Sequence, residues 1–191
     1  TVVIPNYNGM KYLAECMTSL CREQQNAPGY EVLIIDNASV DGSVEYLQKE
    51  WGGEGVRLIS LPENTGFCHA VNLGIREAKT PYVILLNNDT KAEAGFVRGL
   101  YDAIRENEKI FSVSAKMLMW DRPELIDDAG DRYCVLGWAY SRGKGRPAAD
   151  YDKSVPVFSA CGGAAIYRRS VFEEIGYFDE EHFAYLEDID V

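Results

Sequence analysis

The stretch YVILLNNDTKA, from Tyr82 to Ala92, is an apolar run that ends abruptly in two amides and a carboxylate. A short continuous apolar run of this kind predicts a strand that is buried on both faces. Packing alone does not require Asn87, Asn88 and Asp89 at the end of such a strand. We therefore interpret these three residues as binding candidates. The alternative is that they cap the following helix, since Asn and Asp are good N-cap residues.

The same succession of apolar strand, polar end and helix occurs four times in the first half of the chain. The predicted strands lie in TVVIP, YEVLIIDNAS, VRLISL and YVILL. Each is followed by apolar residues at helical spacing: Leu13, Cys16, Met17 and Leu20; Val44, Leu47 and Trp51; Phe67, Val71, Ile75 and Ala78; Phe96, Leu100 and Ile104. Strands that are apolar throughout and alternate with helices predict an α/β fold, with a parallel sheet covered on both faces.

The second half of the chain has weaker periodicity. Residues 111–120, FSVSAKMLMW, suggest one more strand, and VFSACGGAAIYRR suggests a strand interrupted by two glycines. Residues 121–154 are rich in Gly, Pro, Asp and Arg, which predicts a loop with a short hairpin, folded over the site. A short helix is expected from Ser170 to Gly176.

Polar residues follow every predicted strand of the first half. They are Asn6, Tyr7 and Asn8; Asp36 and Asn37; Asn64; and Asn87, Asn88 and Asp89. Ligands of parallel sheets bind outside the carboxyl ends of the strands, so these side chains are expected to share one site. Carboxylate and amide oxygens suit Mg²⁺ or Mn²⁺, and Mg²⁺ commonly binds one or two carboxylates together with substrate phosphates. Asp89 is the candidate metal ligand, and Asn88 could hold a ribose hydroxyl.

Composition narrows the function classes. Lys and Arg total 19 against 30 Asp and Glu, for a net charge of -11, which argues against nucleic acid or an anionic membrane surface as the main partner. No apolar run approaches the ~20 residues of a membrane span, and no signal peptide is visible. The five cysteines are irregularly spaced without a C-x-x-C, which predicts free thiols in a reducing cytosol.

Several nucleotide and hydrolase motifs are absent from the sequence. IPNYNG follows the first strand where a dinucleotide fold would carry G-x-G-x-x-G, and RGKGRP does not fit a P-loop. H-E-x-x-H and G-x-S-x-G are also missing. Thr1 already lies inside a strand pattern and Val191 follows a charged motif, so we expect the sequence to be part of a longer chain.

Five segments together resemble glycosyltransferase family 2, and above all its rhamnosyltransferase-like bacterial members. They are VVIPNYNG, VLIIDNASVDGS, NTGFCHAVNLGI, YVILLNND and GYFDEEHFAYLEDID, in the order and spacing of the family. The resemblance covers nearly the whole chain. It implies a GT-A fold with a Rossmann-like, mostly parallel sheet, incomplete at the C-terminus. Residues 1–191 would form a single domain, with a nucleotide-binding half of about residues 1–110 and an acceptor and catalytic half of about residues 111–191.

The resemblance also implies an activity. The expected reaction is an inverting transfer of a sugar from a UDP- or dTDP-sugar to a glycan or lipid-linked acceptor, in cell-surface polysaccharide synthesis. Mn²⁺ or Mg²⁺ would be the cofactor. The expected location is the cytoplasm, with peripheral association at the inner face of the membrane left open.

Site residues carry over from the family position by position. Asn87-Asn88-Asp89 matches the metal-binding DxD motif, with Asp89 at the metal-contacting position and Asn87 replacing the first Asp, which removes a charge. Asp188 matches the general base, with Glu187 as its neighbour or alternative. The remaining positions are Pro5 and Tyr7 against the base of the nucleotide, Asp36 and Asn37 hydrogen-bonded to that base, Asn64 and Asn72 lining the nucleotide pocket, and Gly162 and Gly163 beside the donor sugar.

Other readings stay open at this point. YLEDID could be the solvated acidic start of a helix, and the glycine pair could be a bulge. A nucleotide-sugar-binding domain without catalysis is favoured by Asn87 and opposed by the intact Glu187-Asp188 pair. A sugar-phosphate nucleotidyltransferase would need a glycine-rich basic loop that PNYNGMKY lacks, and a phospho-receiver domain would be shorter.

Overall fold

A computed structural model describes residues 1–21, 26–53, 55–184 and 187–191. The first half contains four strand and helix pairs in the predicted order. The strands are β1 (Val2–Asn6), β2 (Val32–Asp36), β3 (Val56–Ser60) and β4 (Tyr82–Leu86). The helices are α1 (Met10–Cys21), α2 (Ser43–Trp51), α3 (Gly66–Glu77) and α4 (Phe96–Arg105).

Two strands of the second half, β5 (Ser112–Ser114) and β10 (Ala164–Arg168), join these four in a six-stranded sheet at the centre of the molecule, in the order β3-β2-β1-β4-β10-β5. Strands β1 to β4 pair in parallel, which confirms the mostly parallel α/β prediction. Strand β10 (Ala164–Arg168) lies antiparallel between β4 and β5 (Ser112–Ser114). Because β1, β2 and β4 are parallel, their carboxyl ends meet at one edge, as the polar strand ends predicted.

Helices cover both faces of this sheet. On one face α1, α2 and α4 pack on β1, β2 and β4, and the predicted helical residues Leu13, Leu47 and Leu100 are buried there. On the other face α3 packs through Val71 and Ile75, joined by Phe172 of α5 (Arg169–Ile175). The alternation of strand side chains between the two faces explains why these strands are apolar throughout.

The second half contains more strand than the sequence suggested. Residues 111–120 form two strands rather than one, β5 and β6 (Met117–Met119), because β5 joins the central sheet while β6 pairs with β7 (Arg122–Asp128). Strands β8 (Asp131–Tyr133) and β9 (Ala139–Ser141) form a further hairpin, followed by a 3₁₀ turn (Ala148–Asp150). The loop with a short hairpin predicted over residues 121–154 therefore contains the hairpin β8–β9 and, in addition, strand β7, which pairs with β6.

Two further boundaries differ from expectation. The strand predicted across the glycine pair begins only at Ala164, since Gly162 and Gly163 form a turn before it. Helix α5 begins at Arg169 rather than Ser170, and it ends before Gly176, whose φ of 102° is easily adopted only by glycine. Within the described ranges, no helix has the length and apolar character needed to cross a bilayer.

Candidate active site

Three strand-end residues form a hydrogen-bonded chain across the edge of the sheet. Asn6 at the end of β1 donates through Nδ2 to Asp36 Oδ2 of β2, at 2.7 Å. Asn88, which follows β4, donates through Nδ2 to Asn6 Oδ1, also at 2.7 Å. Three strands that are distant in sequence are thereby tied together where the sequence predicted a shared site.

Asp36 and Asn37 lie at this edge of the sheet and form hydrogen bonds within the protein. Both are buried. Asp36 accepts from the Ser39 backbone N–H at 2.9 Å, in addition to its bond with Asn6. Asn37 donates to the Gly66 carbonyl and accepts from the backbone and side chain of Thr65. Their polar atoms are thus engaged within the protein, and the direct contact with a nucleotide base stays a prediction.

The loop after β1 presents exposed groups above this network. Tyr7 has 51% of its surface exposed at the end of β1, beside the half-buried Pro5. Gly9 is required here, since a Cβ at this position would lie 2.1 Å from Asn88 Nδ2 and 2.3 Å from Asn6 Oδ1. The start of α1 can therefore pack directly on the Asn6–Asn88 hydrogen bond, which leaves the Tyr7 ring at the surface.

Asn87, Asn88 and Asp89 do not cap α4. That helix begins at Phe96, after an N-cap glycine that makes no side-chain cap bond. The three residues instead lie at the start of the loop that follows β4, where the Thr90 hydroxyl donates to the Asn87 carbonyl at 2.7 Å. The helix-cap interpretation is wrong, and the residues remain at the sheet edge, available for another role.

Asp89 has the properties of a carboxylate that can receive a cation. Its side chain is exposed, and no residue that the structure describes forms a hydrogen bond or ion pair with it. Together with the amide oxygen of Asn87 it offers hard oxygen donors, which fit Mg²⁺ or Mn²⁺.

The turn Cys161–Gly162–Gly163 joins the β4 end to the predicted base. The Asn87 backbone N–H donates to the Gly163 carbonyl at 2.9 Å. The Gly162 N–H donates to Asp188 Oδ2 at 3.2 Å. The candidate metal motif, donor-sugar glycines and base, which are predicted from three separate segments, are therefore connected by two hydrogen bonds.

Asp188 lies in the short helix α6 (Glu187–Asp190) and is half-buried. Burial raises the pKa of its carboxyl above the ordinary value; the Gly162 N–H opposes this shift, and repulsion from Asp128 adds to it. Glu187 is buried. The acidic segment is therefore not a solvated helix start, although Tyr185 and Leu186 of YLEDID lie outside the described residues.

A second acidic group, which is not among the residues predicted from the sequence, lies next to Asp188. Ligand atoms of Asp128, Asp131 and Cys161 all lie within 4.8 Å of one another. Burial, with repulsion from Asp128 and Asp188, raises the pKa of Asp131 to about 6, and burial raises the pKa of Cys161 to about 12. A thiol that stays protonated at neutral pH fits neither Mg²⁺ nor Mn²⁺, so the set is a poorer match to the expected cofactor than Asp89.

A cavity of about 200 Å³ lies beside Asp188, and Asp131 and Cys161 of the acidic group line it. Asp131, Tyr140 and Ser141 of the β8–β9 hairpin form one side, and Cys161, Asp188 and Ile189 form the other. The sequence pattern DDAGD in residues 127–131 could have indicated it, as two adjacent carboxylates near a glycine turn. Asp188 thus forms part of the wall of this cavity.

Asn72 occupies a different environment from the one predicted. It is fully buried in α3, where its Nδ2 donates to the Phe178 carbonyl at 2.8 Å and to Glu180 Oε1 at 2.9 Å. Its Oδ1 accepts from the Phe178 N–H at 3.1 Å. Asn72 thus holds the segment that leads to Asp188, and no exposed polar atom of its side chain supports the predicted nucleotide contact.

Asn64 is exposed, and its Oδ1 accepts from the Gly66 N–H at the start of α3 at 3.0 Å. Gly66 has a φ of +87°, and a Cβ there would lie 2.8 Å from the Phe183 carbonyl oxygen. The Phe67 N–H donates to that same carbonyl at 2.8 Å. The amino end of α3 therefore contacts the chain that approaches α6.

Known proteins are similar to this chain over most of its length. Residues 1–176 match the profile of the family described as Glycosyl transferase family 2. The chain is 28% identical over 187 residues to the glycosyltransferase GlyG of Streptococcus pneumoniae, covering 96% of this chain and 61% of GlyG. It is 28% identical over 218 residues to N-acetylglucosaminyl-diphospho-decaprenol L-rhamnosyltransferase of Mycobacterium tuberculosis, covering 100% of this chain and 68% of that enzyme.

The fold matches solved structures. GalNAc-T7, solved with UDP, GalNAc and Mn²⁺, superposes with a TM-score of 0.73 at 18% identity, over 100% of this chain and 39% of its own. The chain thus corresponds to part of each of these longer proteins. The fold is GT-A, and the match over residues 1–176 means that this chain belongs to glycosyltransferase family 2.

Proposed function

We propose that this chain is the catalytic domain of an inverting glycosyltransferase. It moves a sugar from a UDP- or dTDP-sugar to a glycan or lipid-linked acceptor in cell-surface polysaccharide synthesis. The observation that carries the proposal is the 161–163 turn, which hydrogen-bonds to Asn87 on one side and to Asp188 on the other. Residues of about 1–110 form the donor half and residues of about 111–191 the acceptor half.

The donor nucleotide binds at the carboxyl edge of β1, β2 and β4. Tyr7, exposed above the edge, stacks against the base, and Asn88 approaches the ribose. The buried Asp36–Asn6–Asn88 chain fixes the geometry of that edge, so it is set before the ligand arrives. The relatives support this assignment, since GalNAc-T7 is solved with UDP.

Asp188 acts as the general base. In an inverting transfer the acceptor hydroxyl attacks the anomeric carbon from the side opposite the leaving diphosphate, and a carboxylate removes the hydroxyl proton as the new bond forms. The raised pKa of Asp188 makes it a stronger base than an ordinary carboxylate. The cavity beside it admits the acceptor, while Gly162 keeps the donor sugar close because it adds no side chain there.

A divalent cation completes the donor site. Asp89 would hold it, with Asn87 nearby, and the ion would neutralise the charge that grows on the leaving diphosphate. The charge of -11 and the lack of a P-loop support this need for a cation. Asp89→Ala should abolish any Mn²⁺ dependence of UDP binding, and Asn87→Asp should strengthen Mn²⁺ binding. Tight UDP binding by the unaltered chain in EDTA would contradict the assignment.

The proposed location is the cytoplasm, with peripheral association at the inner face of the membrane left open. All five cysteines are free thiols, which suits a reducing compartment.

Replacing the base tests the proposal. Release of UDP or dTDP from a panel of nucleotide sugars is measured for the unaltered chain and for Asp188→Asn. A placed carboxylate base contributes ~10²–10⁴ in rate, so turnover should fall by that factor while UDP affinity is unchanged. Asp190→Asn, an exposed acid two residues further on, is the matched control. Near-normal turnover of Asp188→Asn with an inactive Glu187→Gln would move the base by one residue.

The alternative is a nucleotide-sugar-binding domain without catalysis, which Asn87 favours because it removes one charge from the metal motif. UDP binding without turnover of any nucleotide sugar, by a chain that carries its natural C-terminal continuation, would support that reading.

A further inference from the structure

A cavity of about 610 Å³ with a basic lining adjoins the smaller cavity beside Asp188. We call it the arginine pocket; it is lined by Arg132, Tyr140, Arg142, Gly143, Arg146, Asp150 and Tyr151. Three guanidinium groups and two tyrosine rings converge there, although the net charge of the chain is -11. Such a local reversal of charge points to an anionic ligand.

The pocket is held in shape by its own contacts. The Arg142 guanidinium lies 4.7 Å from the centre of the Tyr151 ring and donates to the Ala129 carbonyl at 3.3 Å. Gly143, at a φ of +84°, permits this stacking, since a Cβ there would lie 2.7 Å from the Tyr151 ring. Arg142 is half-buried and its orientation is therefore fixed before any ligand binds.

Within the part of the chain that the structure describes, the positive charge of the pocket is only partly balanced. Among the residues that the structure describes, none places a carboxylate oxygen within 4.0 Å of the Arg132, Arg142 or Arg146 guanidinium. Lys144, in the same segment, is by contrast paired with Asp127 at 3.2 Å. Asp150 contributes one negative charge to the lining, which leaves an excess of two positive charges for a ligand.

The pocket adjoins the cavity that contains the base. Tyr140 lines both. Asp131 and Arg132 are successive residues of β8, so their side chains point to opposite faces of the hairpin, one toward the Asp188 cavity and the other into the arginine pocket. None of the lining residues belongs to the ends of β1, β2 or β4, where the donor nucleotide is placed. The two cavities therefore meet at Tyr140, and an acceptor held by the arginines would have to extend past this side chain to reach Asp188.

We propose that the arginine pocket binds the phosphoryl group of a phosphate-bearing acceptor, whose sugar hydroxyl is then presented to Asp188. Three guanidiniums match the several oxygens of a phosphate or diphosphate better than the two oxygens of one sugar carboxylate. The same chemistry occurs in a lipid-linked diphosphate and in a polyol-phosphate chain. This proposal rests on the proposed function, because it assigns the acceptor of that reaction.

Titration calorimetry of the chain, saturated with UDP, tests the pocket directly. The probes are farnesyl diphosphate, for the lipid-linked source, and a short glycerol-phosphate oligomer, for the polyol-phosphate source. Arg132→Gln and Arg146→Gln remove exposed arginines and leave the packed Arg142 in place. Each should weaken binding of the true source about tenfold, as expected from the loss of one charge-assisted hydrogen bond. Arg122→Gln, an exposed arginine of β7 outside the pocket, is the matched control and should leave binding unchanged.

Two results would overturn the assignment. One is equal affinity of both probes for the unaltered chain and for the Arg132→Gln, Arg146→Gln double variant. The other is an equal loss of UDP affinity in that double variant, measured without the probes, which would place the arginines at the donor. Arginine-dependent probe binding by a chain that turns over no nucleotide sugar would instead reject the proposed function while keeping the pocket as a phosphate site.

Discussion

Replacing Asn72 by alanine separates two explanations of a buried amide. The resemblance to the family predicts that Asn72 lines the nucleotide pocket. The structure has it bound to Phe178 and Glu180, where it holds the segment that leads to Asp188. The two explanations predict opposite results for stability and for nucleotide affinity.

The expected loss of stability follows from three hydrogen bonds. Asn72→Ala removes all three, and the Phe178 N–H and carbonyl are left in a buried position. A buried backbone group without a partner costs ~1–3 kcal/mol. We therefore expect the free energy of unfolding to fall by about 3 kcal/mol, a large part of the ~5–15 kcal/mol typical of a domain.

Urea unfolding and UDP titration together provide the assay. The midpoint of the Asn72→Ala variant should fall clearly, its UDP affinity should stay within about twofold of the unaltered chain, and its turnover should drop because Asp188 is less well positioned. Asn107→Ala is the control: the exposed side chain of Asn107 accepts one hydrogen bond, from the Lys109 N–H, and loss of this bond should cost less than about 1 kcal/mol. If stability is unchanged and UDP affinity is tenfold weaker, Asn72 does not hold the segment that leads to Asp188, and the predicted contact between Asn72 and the nucleotide is supported instead.

Three further results are expected. Tyr7→Ala should weaken UDP binding by roughly 1–2 kcal/mol through loss of the aromatic contact, and an unchanged affinity in calorimetry would mean that the pocket lies elsewhere. Gly74→Ala should destabilise the fold by about 2 kcal/mol in urea unfolding, since the added Cβ would lie 2.2 Å from Val3 Cγ1 in the core; a neutral result would show that α3 can shift away from β1. Burial raises the pKa of Asp131 from 3.8 to about 6, so the folded protein binds this proton more tightly than the unfolded chain does. The contribution of the bound proton to the free energy of unfolding is therefore complete below about pH 4 and is lost as the pH rises through about 6. Asp131→Asn should therefore raise the free energy of unfolding at pH 7 by ~1–2 kcal/mol, a value that allows for solvent screening. At pH 4 the substitution should not raise it. Thermal unfolding of both proteins at the two pH values measures the difference.

The first half of the fold was predictable because its signals are local. An apolar run such as YVILL indicates a strand that is buried on both faces. The spacing of Leu13 and Leu20 indicates that both lie on one face of a helix. Because these strands are parallel, Asn6, Asp36 and Asn88 are expected to lie at the same edge of the sheet. This expectation requires no information about side-chain contacts.

The second half depended on contacts that no local pattern encodes. Ala164–Arg168 is recognisable as a strand, but its antiparallel position is fixed by pairing with β4 and β5, which lie about 80 and about 50 residues earlier in the chain. Asn72 has the same sequence neighbours whether its amide faces a ligand or the Phe178 backbone. Asp131 likewise comes close to Cys161 only because the β8–β9 hairpin folds back toward the sheet. The composition of residues 121–154 does not predict this folding back.

The position of β10 inside the central sheet has a consequence during synthesis. Strand β4 is complete at Leu86, but the neighbour that covers its second edge is not made until Arg168. At ~5–20 residues per second, roughly 4–16 s pass in which a nascent chain carries an apolar strand with one open edge. Such an edge can pair with another chain, so yield on the ribosome should depend on chaperones that bind extended apolar segments. A stop after the donor half would make this temporary state permanent, and the shortened product should aggregate rather than bind UDP.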